Sequence, residues 1–220
     1  MSEPSTQITR LREKGSTDRA VLDGLLDSVH IGHFGLVDRE SGCPVVIPTA
    51  VLRDGDRVLA HGSTGSPWMR ALAGGADTCL AVTADDGIVV ARSAFESSLH
   101  YRSAVIFGRC VAVAAEERDR ALDLITDALI PGRVAELRRP RPAELAATLV
   151  LALPIERWSL KVSDGWPDDP DDDVAGTAWA GVVPRVHGYG APVAAPDLRA
   201  GIDLPDSVRA LGVDDSGRGV

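Results

Sequence analysis

The chain has 220 residues, of which 45% are hydrophobic, with a formal net charge of -9 and a pI near 5.0. This supports one sizeable core with appendages rather than two equal domains. The acidic balance offers no whole-surface attraction for phosphate polymers or anionic lipid, so neither nucleic-acid nor membrane binding is expected.

The N-terminus lacks the apolar stretch of a signal peptide, and no later run approaches the roughly 18 apolar residues of a spanning helix, so a cytoplasmic protein is expected. Cys43, Cys79 and Cys110 are odd in number and far apart, which argues against a disulfide framework or a zinc site. Cys79 and Cys110 lie on apolar runs and read as small buried residues.

Residues 1–16 form a polar arm. Asp18 can cap a helix whose Val21, Leu22, Leu25, Leu26 and Val29 follow helical spacing. From Ile31 the pattern becomes strand-like: IGHFGLVD, then PVVIPTAVLR, then RVLAHGS after Asp54-Gly55-Asp56, an antiparallel meander. Ser66 to Ala73 reads as a short helix. TCLAVTA and GIVVARS are separated by Asp85-Asp86-Gly87, a turn signal at hairpin length. Arg102 to Ala115 is the most apolar strand and is expected near the centre of the sheet.

Glu116 to Leu129 is helical, with Glu116, Glu117 and Asp119 in the first turn, where the helix dipole favours anions. Pro131-Gly132 ends it, and a second short helix is expected over 143–148. TLVLALPIERWSLKVS returns to strand, with Pro154 at an edge or bulge. PDDPDDDV, 167–174, reads as an acidic solvated connector, and the apolar AWAGVVP precedes a Pro- and Asp-rich tail. The division is therefore an arm at 1–16, a barrel domain at 17–166 with a helical insert near 116–148, and a C-terminal extension at 167–220 packing on the barrel.

Three places carry chemistry. HGSTGS, 61–66, follows a strand and precedes a short helix, where hydroxyls and backbone N–H groups can converge on a phosphate. Tyr101-Arg102-Ser103 opens the apolar strand and can set a guanidinium, whose planar fork suits phosphate, at a barrel mouth. Lys161 is a third cation. The basic stretch GRVAELRRPRP, 132–142, is too brief and Pro-broken for a DNA-reading helix.

IPTAVL after GCPVV, then HGSTGS, ARSAFESSLHYRSAVIFG, WSLKVSDGWP and WAGVVP occur in this order in a known family. On these motifs the chain resembles the pyridoxamine 5′-phosphate oxidase-related, flavin-nucleotide-binding proteins from about Thr17 to Pro205. The resemblance implies a mainly β fold with peripheral helices, a six-stranded antiparallel split β-barrel, forming a homodimer with FMN at the subunit interface. It places the isoalloxazine along Val46, Ile47, Pro48 and Thr49. His61, Gly62, Ser63 and Ser66 would approach the ribityl chain and phosphate. Arg102 and Ser103 match the Arg-Gln pair of the true oxidases, and Lys161 and Trp179 would come from the partner-side rim.

The departures are informative. Gly32-His33 stands where many relatives have Cys-His, and Pro67-Trp68 replaces the Arg-Lys pair of the phosphate loop, leaving Arg70, Arg102 or Lys161 to balance the phosphate. Arg185-Val186-His187 resembles the substrate-holding Arg-x-His of the true oxidases, yet its Gly- and Pro-rich continuation reads as a surface loop. The expected function is an FMN-dependent oxidoreductase acting on a small planar substrate held near Trp179 or Trp166, not a pyridoxamine 5′-phosphate oxidase. The alternatives are a non-catalytic flavin binder, or a barrel holding a deazaflavin or a haem ligated by His33, His61 or His187.

Overall fold

The computed structural model of the chain describes residues 5–211. Among these, ten strands form one antiparallel sheet: β1 (Gly15–Ser16), β2 (Ile31–Val37), β3 (Pro44–Asp54), β4 (Arg57–Ser63), β5 (Asp77–Val90), β6 (Ser98–Arg109), β7 (Val111–Ala112), β8 (Thr148–Pro154), β9 (Arg157–Ser163) and β10 (Gly181–Pro184). The helices are α1 (Arg19–Ser28), α2 (Pro67–Ala73), α3 (Ala115–Leu129), α4 (Pro142–Ala147), α5 (Asp171–Val174) and α6 (Asp206–Leu211). The strand path is β1-β9-β6-β5-β2-β3-β4-β8-β7, with β10 added on β5. The class matches the expected split barrel. The strand count exceeds six because short segments extend its edges.

The sheet rolls at β3. Its first half, from Pro44 to Ala50, pairs with β2, and its second, from Val51 to Asp54, pairs with β4. One continuous strand therefore serves both layers. Strand alternation then sorts side chains in and out. Phe34, Leu36, Val58, Ala60, Leu80, Ile106, Leu151 and Leu153 point inward with Leu22, Leu25 and Leu26 of α1 and Met69 and Leu72 of α2. The alternate residues Leu59, Val150 and Ala152 point outward, under Ala121 and Ile125 of α3. α1 starts where Asp18 accepts a hydrogen bond from the Ala20 N–H at 2.8 Å, as its spacing predicts. Each of its fully buried leucines contributes roughly 1.5 to 3 kcal/mol.

Three expectations are corrected. Asp85-Asp86-Gly87 is not a turn: β5 runs straight through it, and the register against β6 slips there, so Asp86 is the extra residue of a β-bulge. The reversal lies instead at 91–97. Gly87 is required because β10 passes close by, and a Cβ there would meet the Val183 carbonyl at 2.6 Å. The segment Arg102 to Ala115 is not one strand, since β6 ends at Arg109 and β7 crosses to pair with β8. TLVLALPIERWSLKVS is two strands, with Pro154 closing β8 opposite Arg57.

Candidate functional site

Directly paired residues of neighbouring strands share a face, so the registers order the outer surface into rows. One row runs Phe107, Cys79, Gly35 and Val46; the next runs Val105, Ala81, His33 and Pro48; a third holds Lys161, Ser103 and Thr83. No described helix covers these rows, and Ile31, Val37 and Val46 are each about three-fifths exposed, at 59%, 58% and 62%. Gly35 keeps its row flat, because a Cβ there would stand 2.9 Å from the Cys79 sulfur. The result is a shallow apolar platform.

Four consecutive strand residues cannot all face one ring. Val46 and Pro48 lie on the platform, whereas Ile47 packs against the inner core. Thr49 likewise shares the inner side with Gly32, whose added Cβ would meet Leu80 and Val51. Ser103 and Lys161 are direct cross-strand partners on the platform. Trp179 stands on the connector before β10, 66% exposed, with its ring folded against Gly181, where a Cβ would be 2.8 Å away.

The HGSTGS segment closes β4 and enters α2. Gly62 faces inward, and a Cβ would meet the Met69 Cγ at 3.2 Å. The Ser63 hydroxyl accepts from the Gly65 N–H at 3.1 Å, and the Ser63 carbonyl accepts from the Ser66 N–H at 3.0 Å. Ser66 is the N-cap of α2 without a capping side-chain bond. Arg70 reaches back and donates to the Gly65 carbonyl at 2.9 Å, and among the described residues it enters no ion pair. His61 pairs with Val150 on the outer side, and its Nδ1 is buried with no hydrogen-bond partner. A buried imidazole nitrogen left unpaired is costly unless a ligand or water satisfies it.

Arg102 does not face this platform. It alternates with Ser103 and lies between Ala84 and Val162, both packed on the inner core. Its Nε and Nη2 each donate to Asp86 at 2.8 Å. That bond raises the arginine's pKa and holds the Asp86 carboxyl below its ordinary value. Sequence reasoning missed Asp85 and Asp86 as partners, having read them as a turn. The Asp85 carboxylate pairs with Arg185 at 2.8 Å, and its carbonyl accepts a hydrogen bond from His187 at 3.1 Å. Arg185 and His187, expected in an uninvolved loop, are exposed but clamp the bulge from the other side.

Other groups are committed elsewhere. The basic stretch is neutralised: Arg138 pairs with Glu144, Arg139 with Asp119 and Asp123, and Arg133 with Glu136. The His100 ring donates to the Gly165 carbonyl at 2.9 Å. The acidic connector is less solvated than expected, because the Asp169 side chain is fully buried against Arg92. No group of three or more metal-ligating side chains gathers among the described residues. Cys110 is buried as expected, whereas Cys79 is half-exposed on the platform.

The pyridoxamine 5′-phosphate oxidase family model matches residues 18–162. The chain is 54% identical to the FAD and haem binding protein of Mycobacterium smegmatis, covering 90% of this chain and 97% of that one, with a TM-score of 0.86. It is 32% identical to the flavocytochrome Anf3 of Azotobacter vinelandii, covering 94% and 95%, with a TM-score of 0.87. No curated protein matches the chain. A family match spanning nearly all of the barrel, on a fold superposing along almost its whole length with these two proteins, places the chain in the pyridoxamine 5′-phosphate oxidase family.

Proposed function

We propose that the chain binds a flavin and a haem and works as a cytoplasmic homodimeric electron-transfer protein, with FAD rather than FMN as its flavin. The observation that carries this reading is the 54% identity, over 90% of the chain, to a protein described as FAD and haem binding. The flavocytochrome relative supports it independently.

The residues present suit both groups. Val46 and Pro48 offer an apolar surface for a planar ring, and Lys161 and Ser103 share a row beside it. The HGSTGS segment, with Arg70 folded back on Gly65, supplies hydroxyls and one cation for phosphate. FMN ends in a compact dianion, for which the second arginine of the sequence reading would be wanted. Arg102 is already bound at both donors to Asp86, which favours a dinucleotide whose phosphates carry one charge each. For haem, His61 is the favoured ligand. His100 and His187 each spend a ring nitrogen on a carbonyl, and His61 keeps a buried one without a partner.

A bound flavin supplies two-electron chemistry and a haem one-electron chemistry. The chain's part is to hold both against the platform, exclude water from them and keep His61 oriented on β4. The exposed platform needs a cover, and a second copy supplies it symmetrically. Arg185 is spent on Asp85, so a second phosphate beside the flavin lacks its cation and pyridoxamine 5′-phosphate is not the substrate. A small planar molecule near Trp179 is the proposed one.

Denaturing the purified protein and chromatographing what it releases tests the reading. The expected result is FAD with a Soret-absorbing haem. Release of FMN alone overturns it.

A further inference from the structure

The connector between β5 and β6, residues 91–97, and the segment after β9, residues 164–170, are bolted together. The Asp169 carboxylate accepts from the Arg92 N–H at 2.8 Å and from its guanidinium at 3.0 Å, with the Asp169 side chain wholly buried. The His100 ring donates to the Gly165 carbonyl at 2.9 Å. Ser97 accepts from the Ala91 N–H and donates to the Ser93 carbonyl, which fixes the shorter loop internally. These bonds hold two of the most exposed aromatic side chains of the described residues, Phe95 at 91% and Trp166 at 78%. Large aromatics displayed to water on pinned loops are what an interface anchor requires, because little side-chain freedom remains to be lost on binding.

The rim around them has one sign. Between Asp164 and Val174 the sequence carries six aspartates and no lysine or arginine, and Glu96 follows Phe95. The nearest cation, Arg92, is consumed by Asp169. An apolar centre in an acidic ring is complementary to a basic partner with an apolar contact zone. The patch also adjoins the candidate site: Gly181, against which Trp179 folds, pairs with Val90, next to Ala91.

We propose that Phe95, Trp166 and the surrounding aspartates form the docking surface for a basic electron-carrier protein. Naming an electron carrier rests on the redox reading above; the surface chemistry does not. Charge steers the partner in, so association falls steeply as salt approaches the physiological range, where screening acts over about 8 Å.

The test uses cofactor-loaded full-length protein and a basic c-type cytochrome as the probe, with binding measured by calorimetry on fully oxidised proteins and electron transfer by stopped flow. Trp166→Ala is expected to weaken binding about tenfold. Asp171→Asn, Asp172→Asn and Asp173→Asn together are expected to weaken it as much at low salt and to remove most of the salt dependence. Removing the same three charges elsewhere, by Glu13→Gln, Glu40→Gln and Asp197→Asn, should change binding less than twofold. Equal effects from the two charge sets, or no effect of Trp166→Ala, overturn the docking surface. So does loss of the native assembly on light scattering of Trp166→Ala, since a second copy would then be the occupant. Patch-dependent binding without electron transfer leaves the surface standing and overturns the redox reading instead.

Discussion

Arg102 on β6 and Asp86 in the β5 bulge are joined by two parallel hydrogen bonds of 2.8 Å, so the arginine that opens the most apolar strand is already spoken for. The extra residue of the bulge aims the carboxylate across the strand pair. The motif reading assigned this guanidinium to a phosphate, and the pair supplies it with a different anion.

Arg102→Ala is therefore expected to act mainly on stability. It leaves a partly buried carboxylate without its donor and costs about 1 to 2 kcal/mol, read as a shift in the urea midpoint at unchanged slope. The double variant with Asp86→Ala should lose less than the two singles summed. Flavin affinity should fall less than threefold; a loss of tenfold or more would mean that the side chain reaches the phosphate.

The same pair sets an acid limb. Asp86 is held below its ordinary value by the Arg102 hydrogen bond, so its stabilisation is complete above the unfolded carboxyl's pKa, near pH 4, and is lost as pH falls through the lower folded value. Thermal melts from pH 7 to pH 3 should show a shallower fall for Asp86→Asn than for the parent in this window. Parallel curves would count against the pair.

His61→Ala is expected to abolish the Soret band while the flavin absorbance stays, because this imidazole keeps a buried nitrogen unpaired. His187→Ala should leave the Soret band intact, since that ring is tied to the Asp85 carbonyl. The reverse pattern in visible spectra would move the haem to the β10 side.

Val46→Asp should split the assembly. Val46 is 62% exposed at the centre of the uncovered platform, and a carboxylate there would be desolvated by a second copy. Light scattering of the parent should give about twice 23.1 kDa, and of the variant 23.1 kDa with unchanged circular dichroism. A parent that is already monomeric overturns the interface.

Gly87→Ala should release β10. The added methyl meets the Val183 carbonyl at 2.6 Å, and backbone cannot swing aside as a flexible side chain would. Limited proteolysis should then cleave near 184–187 faster than in the parent, with the barrel fragment surviving. Equal cleavage rates would show that the strand accommodates the methyl.

The elements written in local pattern were legible: α1 from Asp18 and its leucine spacing, α3 from its acidic first turn, and the β2–β4 meander from the Asp54-Gly55-Asp56 turn. What escaped the sequence depended on distant partners. Asp-Asp-Gly carries the same local signal in a turn as in a bulge, and the choice here accompanies the pairing of β10 with β5 and the bond from Asp86 to Arg102. The site residues were legible as a set but not by face. Val46 to Thr49 read as one wall, while alternation sends Ile47 and Thr49 inward. The Asp169–Arg92 bond spans 77 positions and left no trace in composition.

Cys110 sits in the inner core at 4% exposure, with burial pushing its thiol up to about 12. At neutral pH only about one such thiol in a hundred thousand is the reactive thiolate, and no reagent can reach it through the closed barrel. Alkylation of this one sulfur thus reports how often the barrel opens. Cys43, exposed in the loop before β3, reacts at once and serves as the internal standard in the same mass spectrum. Comparing the two rates with and without cofactor converts ligand binding into an opening free energy, without denaturant and at a single defined depth in the fold.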